Sequence, residues 1–455
     1  MSSIAEKVDW KPTLDEAVGL FRELVRIDTT NAPDREGNEI EAAELLAHKL
    51  DAEGLEYDLL ESAPGRGNIV TRIHGDGSGG GPILLNGHLD VVPADPAGWD
   101  HPPFGAEIHD GCIWGRGTID MKNMVTMSVM CVILLKRLGV DPSRDVVFAG
   151  VADEEAGSRF GSMWLVDEHP GLVHAEYVLG ELGGFNLEMS GHRFWPVQIA
   201  EKGSARLTIR TTGTPAHGSL PSRDNAVAKI AEAAARLGNR RLPHHVTAVA
   251  RDFIEMLAEK LPTPRAQILR AVLNPRLSGL VLDRVLPDRD LAAVFDALTH
   301  NTANPTIIAG GDKINQIPAR AELRVDGRTL PGYDAEDLVH EVRHLIGDGY
   351  AIEIDESEPA VVADADNEIM HEIERVLTTH DPGAVVLPNL IPGFTDAKAY
   401  SKLGSTCIGF SPLRLGPEMS FTKMFHGDNE RIPVKGFHFG MRALFEVVAN
   451  LVTRG

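Results

Sequence analysis

The feature that most constrains the fold is a set of short apolar runs: PILLN (82–86), DVVFAGV (145–151), EYVLG (176–180) and STCIGF (405–410). Each has the length and β-branched content of a strand buried on both faces. Between the first two, Met121, Met124, Val125, Met127, Ser128, Cys131, Leu134, Leu135 and Leu138 fall largely on helical spacing. Strand, helix, strand repetition predicts an α/β fold, a sheet flanked by helices. At 455 residues the chain is too long for one comfortable core, so two domains are expected.

A different texture begins near Glu201. ARLTIRTTG alternates in polarity, NAVAKIAEAAARLGNR is helical, TIIAGG and AELRVDGRT are strand-like, AEDLVHEVRHLI is helical and YAIEIDE is a last strand. That β-α-β-β-α-β order suits a small α+β domain with helices on one face of its sheet. It is expected as an insertion, 201–358, between two parts of the first domain, 1–200 and 359–455. The stretch from about Leu242 to Asn301 breaks the order and reads as a helical elaboration.

Composition narrows the partners. With 43% hydrophobic and 24% charged residues the chain has ordinary globular make-up. Its 44 Lys+Arg against 66 Asp+Glu give a formal charge of -22, which repels phosphate backbones and anionic lipid, so neither nucleic acid nor membrane is an expected partner. The beginning, MSSIAEKVDWKPTLDEA, has charges where a secretory leader needs an apolar core, and a cytoplasmic location is expected. Three cysteines, Cys112, Cys131 and Cys407, have no paired close spacing, which argues for reduced thiols and against a thiolate metal site.

Histidines and acids cluster where the strands end. His88 and Asp90 in NGHLDVVP follow PILLN, and Asp120 in GRGTIDMKN precedes the Met-rich helix. Glu154 and Glu155 in ADEEAGS follow DVVFAGV, Glu181 in GELGG follows EYVLG, and His426 in FHGDNERIP follows the final strand region. Open α/β sheets build their sites at the carboxyl ends of strands. Taken singly, Asp120 could be only a helix cap, His88 only a hydrogen-bonded loop histidine, and ADEE only a solvated turn. Together they supply two His and several carboxylates, a set that suits Zn²⁺ or a similar divalent ion.

NGHLDVVP, GRGTIDMKN, ADEEAGS, GELGG and HGDNERIP resemble, in order and rough interval, the co-catalytic zinc peptidase family of aminoacylase, glutamate carboxypeptidase, carboxypeptidase S and succinyl-diaminopimelate desuccinylase. The likeness covers nearly the whole chain. It implies two Zn²⁺, with Co²⁺ or Mn²⁺ as alternatives: one ion on His88, Asp120 and Glu181, the other on Asp120, Glu155 and His426, with Asp120 bridging. It also implies hydrolysis of an amide bond beside a free carboxylate, in an N-acyl amino acid or short peptide. A Glu at position 181 goes with carboxypeptidase and deacylase members rather than aminopeptidases. An aminopeptidase or dipeptidase is the nearest rival, and a non-catalytic relative binding metal or an amino-acid derivative is the reading from another class.

The roles also make physical sense. Two cations sharing a carboxylate can acidify a water and polarise a carbonyl, and a base must then take the proton. Neighbouring residues of an extended segment point to opposite sides, so one of the Glu154–Glu155 pair can bind metal while the other faces the water; with Glu155 the ligand that the resemblance implies, Glu154 is assigned as base. Asp90, two residues from His88, is suited to accept the second imidazole N–H.

In the inserted domain, His217 of GTPAHGSLP matches the family histidine that stabilises the oxyanion, commonly from the partner subunit of a homodimer; an exposed loop histidine is the plain alternative. Asn315 and Arg328 of KINQIPARAELRVDGRTLPG, with Gly393 and Thr395 of PGFTDAKAY, correspond to residues that grip the substrate carboxylate. Arg328 could equally form a surface ion pair. Asn123 and Asn429 depart from the family pattern, where Gly and Asp are usual.

Overall fold

The computed structural model describes residues 4–32 and 37–453, and the chain falls into two compact units. The first comprises Met1–Ile199, Ala363–Pro388 and Thr395–Gly455, the second Ala200–Val362 with Asn389–Phe394. The stretch 359–455, expected to belong wholly to the first domain, is therefore interrupted: Asn389–Phe394, which contains Gly393, packs with the second unit.

At the centre of the first unit four strands run parallel. Ile83–His88 lies between Val146–Val151 and Tyr177–Gly180, and Thr406–Gly409 pairs with Tyr177–Gly180 on its other side. Antiparallel neighbours, Gly67–Ile73 at one flank and His192–Glu201 at the other, make the sheet mixed. Ile83–His88 and Val146–Val151 are buried at every position, which is why they read as unbroken apolar runs.

The Met-rich helix, Lys122–Arg137, is buried from Lys122 to Leu135. It packs on the Ile83–His88 strand and against the helices Trp10–Arg26 and Val434–Val452. A helix enclosed on all sides needs apolar residues all round rather than one stripe. Gly87 permits the close approach, since a Cβ there would lie 2.7 Å from Val125 Cγ2. The outer helices are joined by Phe21 stacked on Phe437, ring centroids 4.9 Å apart.

The second unit has a four-stranded antiparallel sheet in the order Thr302–Ala309, Arg320–Thr329, Gly203–Thr212, Ala351–Glu358. Alternate residues such as Leu207, Ile209, Leu323 and Val325 face a core shared with Ile230, Ala233, Leu338 and Val342 of the helices Ala226–Asn239 and Ala335–Ile346. Strands and helices follow the β-α-β-β-α-β order, and the segment between Leu242 and Asn301 is helical, including Ala248–Glu259, Thr263–Ala271 and Arg289–Thr299.

Candidate metal centre

Parallel strands end on the same edge, and that edge carries the site. The His88 strand continues beyond the expected PILLN because Asn86, Gly87 and His88 keep their ladder with Ala149, Gly150 and Val151. His88 is thus a strand residue, not a loop residue. Glu181 directly follows the strand ending at Gly180, and Glu154 opens a one-turn 3-10 helix, Glu154–Ala156, just past Val151. The expectation of an extended Glu154–Glu155 pair is corrected here: Asp153 has a left-handed backbone, φ 65°, and turns the chain into the helical turn. Left-handed residues also flank the other arms, Leu182 at φ 60° and His426 itself at φ 56°. Such conformations persist only where the surroundings enforce them.

Asp120 lies at the middle. Its Oδ1 is 2.9 Å from His88 Nε2 and its Oδ2 is 2.9 Å from His426 Nε2. Glu181 Oε2 lies 3.7 Å from His88 Nε2, and Glu155 Oε2 lies 3.2 Å from His426 Nε2. Asp120 is no helix cap: the helix starts at Lys122 behind Met121, with no side-chain capping bond. Burial raises the carboxyls of Glu154 and Glu181 well above their usual range, and Glu155 to about 7, with neighbouring carboxylates adding to each. Asp120 shifts the other way: burial would raise it, but His426 and His88 hold it low. Burial opposes protonation of His88 and His426, yet Asp120 and the adjacent carboxylates outweigh it and push both upward. So many buried carboxylates repel one another unless a cation sits among them. Glu155 Oε1 is buried without a hydrogen-bond partner. Both facts, with the nitrogen and oxygen donor set, fit divalent metal.

Asp90 does more than orient His88. His88 Nδ1 lies 2.9 Å from the Asp90 main-chain carbonyl and 3.5 Å from its carboxylate. The carboxylate accepts the backbone N–H groups of Glu154 and Glu155, each at 3.1 Å, and an amide N–H of Asn31 at 2.9 Å. Asp90 therefore holds the turn that presents both glutamates. Asn31 Oδ1 in turn accepts from Arg66, which pairs with buried Glu39.

Two cavities adjoin this centre. Ile119, Leu182, Leu413, Phe421 and Phe425 give one an apolar wall beside Asp120 and Glu181. Phe185 stacks on Phe421, Phe421 on Phe425, and Phe425 on His426, the last with ring centroids 4.3 Å apart. Thr395, buried, lines the other cavity together with Glu181 and Asn86. Its neighbour Asp396 accepts from Asn86, Ser158 and Ser162, so its carboxylate is taken up in packing.

Within the second unit, His217 pairs with Gln316 across a short antiparallel bridge, and Gly218 N donates to Asn315 O at 2.8 Å. His217 is exposed, with Nδ1 2.8 Å from Ser219 Oγ. Arg328 lies at the opposite end of the strand Arg320–Thr329 from this pair and is engaged by Asp326 at 2.8 and 3.2 Å. The ion-pair alternative for Arg328 is thus what the structure contains.

Among the described residues one further His and carboxylate grouping occurs, His101, Glu107 and His109. The two imidazoles stack face to face, centroids 3.7 Å apart.

Sequence reasoning did not single out Asn31, Arg66, Arg116, Glu430 or the Phe421–Phe425 pair. Arg116 and Glu430 lie inside the motifs GRGTIDMKN and HGDNERIP.

The sequence pattern described as peptidase family M20/M25/M40 matches residues 84–450. The chain is 29% identical over 382 residues to an N-fatty-acyl-amino acid synthase/hydrolase of Xenopus tropicalis, spanning 81% of this chain and 72% of that protein. Its fold is similar to that of an M20 family metallo-carboxypeptidase from Sulfolobus solfataricus, with TM-score 0.69 and 18% identity over 97% of this chain and 100% of the other. Human carnosine dipeptidase 1 is similar at TM-score 0.68 and 18% identity, with 100% of both chains covered.

Proposed function

Belonging to peptidase family M20/M25/M40, this chain is a metal-dependent hydrolase, and we propose that it cleaves an amide bond beside a free carboxylate, as an N-acyl amino acid deacylase or a carboxypeptidase. The observation that carries the proposal is the Asp120 carboxylate set between two imidazoles, one oxygen to each at 2.9 Å, with Glu181 and Glu155 on the respective sides. His88, Asp120 and Glu181 would hold one divalent ion, and Asp120, Glu155 and His426 the other. Zinc is the proposed metal, with Co²⁺ or Mn²⁺ as substitutes. Ions bound there would acidify a water and polarise the scissile carbonyl.

The chain's own groups supply the rest. Glu154 is buried beside the proposed ligands without being one of them, and a carboxylate so placed can take a proton from water and hand it to the leaving amine. Asp90 fixes the turn that aims it. In this reading Asn315, Arg328, Gly393 and Thr395 receive the substrate's carboxylate; Arg328 must then share its guanidinium with Asp326, and Asn315, at the other end of the strand beside His217, would have to come with His217 from the partner subunit. His217 would donate to the oxyanion from the partner subunit of a homodimer. The exposed edge strand Thr302–Ala309, with Ile307 and Ile308 open to solvent, supports pairing through the inserted domain. The apolar wall beside Asp120 and Glu181 favours substrates with an apolar group. A cytoplasmic location accords with three cysteines that form no disulfide.

An intact base and ligand set disfavours a non-catalytic binding role. To separate the enzyme readings, hydrolysis of N-acyl amino acids and of dipeptides is compared with that of the same compounds carrying an amidated carboxyl terminus. The proposal expects amidation to abolish turnover and a free amino terminus to be dispensable. Equal turnover of amidated compounds, or a strict need for a free amine, would assign an aminopeptidase-like activity instead.

A further inference from the structure

Glu430, four residues past His426, is 1% exposed. Its carboxylate accepts from four donors of one short loop. Oε1 takes Ile119 N at 2.5 Å and Asp120 N at 3.3 Å, while the Thr118 hydroxyl, 3.4 Å away, gives its proton to Gly115 O at 2.8 Å. Oε2 takes Arg116 Nη1 at 2.7 Å and Gly117 N at 3.1 Å. The main chain adds another tie, Gly115 N to Glu430 O at 3.0 Å. Immediately beyond, Arg431–Pro433 pairs in register with Cys112–Trp114, which fixes where Glu430 meets the loop. Arg116 then reaches past Glu430, with Nη2 3.4 Å from His426 O and 3.3 Å from Pro93 O.

A buried carboxylate is tolerated only when its lone pairs are filled, and here every donor that fills them comes from Arg116–Asp120. The loop ends in Asp120, and the segment carrying Glu430 begins with His426. These two residues lie more than 300 positions apart in sequence, yet their side chains must stand within one ion's reach. His88 sits on the central strand and Glu181 at the end of its neighbour, and neither accepts from or donates to Glu430.

We propose that Glu430 is a positioning residue for the metal centre: by clamping Arg116–Asp120 to the His426 segment, it sets the separation of Asp120 and His426 and selectively supports the ion they share with Glu155. This rests on the two-ion reading above. Partners outside the ligand set commonly change metal affinity by about 10–100-fold when removed. His426 should feel the loss most, because it approaches from an exposed turn in a left-handed conformation, whereas His88 is held in a buried strand.

The test is titration of metal-free protein with Co²⁺, by calorimetry and by the visible spectrum, with Glu430→Gln beside the wild type. Wild type is expected to bind two ions. Glu430→Gln should bind the ion shared with Glu155 and His426 about 10–100-fold more weakly and the ion on His88 only slightly more weakly, since Asp120 serves both, while its circular dichroism is retained. Two ions of wild-type affinity, or both weakened alike, would overturn the proposal, since a merely destabilised fold does not choose between sites. Arg116→Lys, which keeps the charge but loses the guanidinium fork, should split the affinities in the same direction, and it decides the matter if Glu430→Gln does not fold. A wild type that binds fewer than two ions would instead refute the two-ion reading.

Discussion

Glu154→Gln should retain both ions yet lose about two to four orders of magnitude in turnover, because an amide cannot carry the proton from water to amine. Metal analysis alongside steady-state rates checks this: near wild-type turnover would remove Glu154 as the base, and loss of metal would mean that Glu154 and Glu155 exchange roles. His88, Glu154, Glu155 and Glu181 stand out in the sequence because each follows an apolar run, where an acid or histidine has few other reasons to be; His426 stands out only through its motif. Asp120 was ambiguous there, since a carboxylate before a helix is also a normal cap, and only the two 2.9 Å contacts to His88 and His426 resolve it. The sequence makes Asp90 a partner of His88, and its carboxylate, 3.5 Å from His88 Nδ1, also holds the backbone of Glu154 and Glu155. A side chain's acceptance of main-chain N–H groups leaves no pattern in sequence.

At the scale of elements, the strands were readable from their burial, but the backbone conformation between them was not. Local spacing treats Glu154 and Glu155 as extended, and the left-handed Asp153 that curls them has no compositional signature. Nor does sequence show how helices are braced. Glu16 on the helix Trp10–Arg26 meets Lys49 of the helix Glu39–Ala52 and Arg137 of the Met-rich helix, and Arg137 also holds Glu53. The hydrogen bond from Arg137, with help from Lys49, lowers the Glu16 carboxyl from 4.5 to about 2. A carboxyl more acidic in the folded state than in the unfolded one stabilises fully above its unfolded pKa and loses that contribution as pH falls through the folded value. Glu16→Gln should therefore melt at a lower temperature than wild type at pH 6, with the gap narrowing between about pH 4.5 and 2. A gap of constant size across that range in thermal melts would show that Glu16 acts by packing rather than charge.

For the whole molecule, the change of sequence texture near Glu201 coincides with the start of the second compact unit at Ala200. The return of Asn389–Phe394 to the second unit is not legible in the sequence, because it depends on tertiary contact alone. Donation of His217 in trans predicts that His217→Ala lowers turnover with metal content intact. Mixed with Glu154→Gln subunits it should recover part of the activity, since a heterodimer has one site with both base and donated histidine. Absence of recovery despite demonstrated subunit exchange, or a fully active monomer in sedimentation, would leave His217 acting in its own chain. All of these outcomes presuppose a centre that works only when loaded with metal. The most direct test is metal analysis of active protein together with its response to a chelator. Two divalent ions per chain, with activity lost on chelation and restored by Zn²⁺, is the predicted result; active protein that contains no divalent ion and is indifferent to the chelator would contradict it.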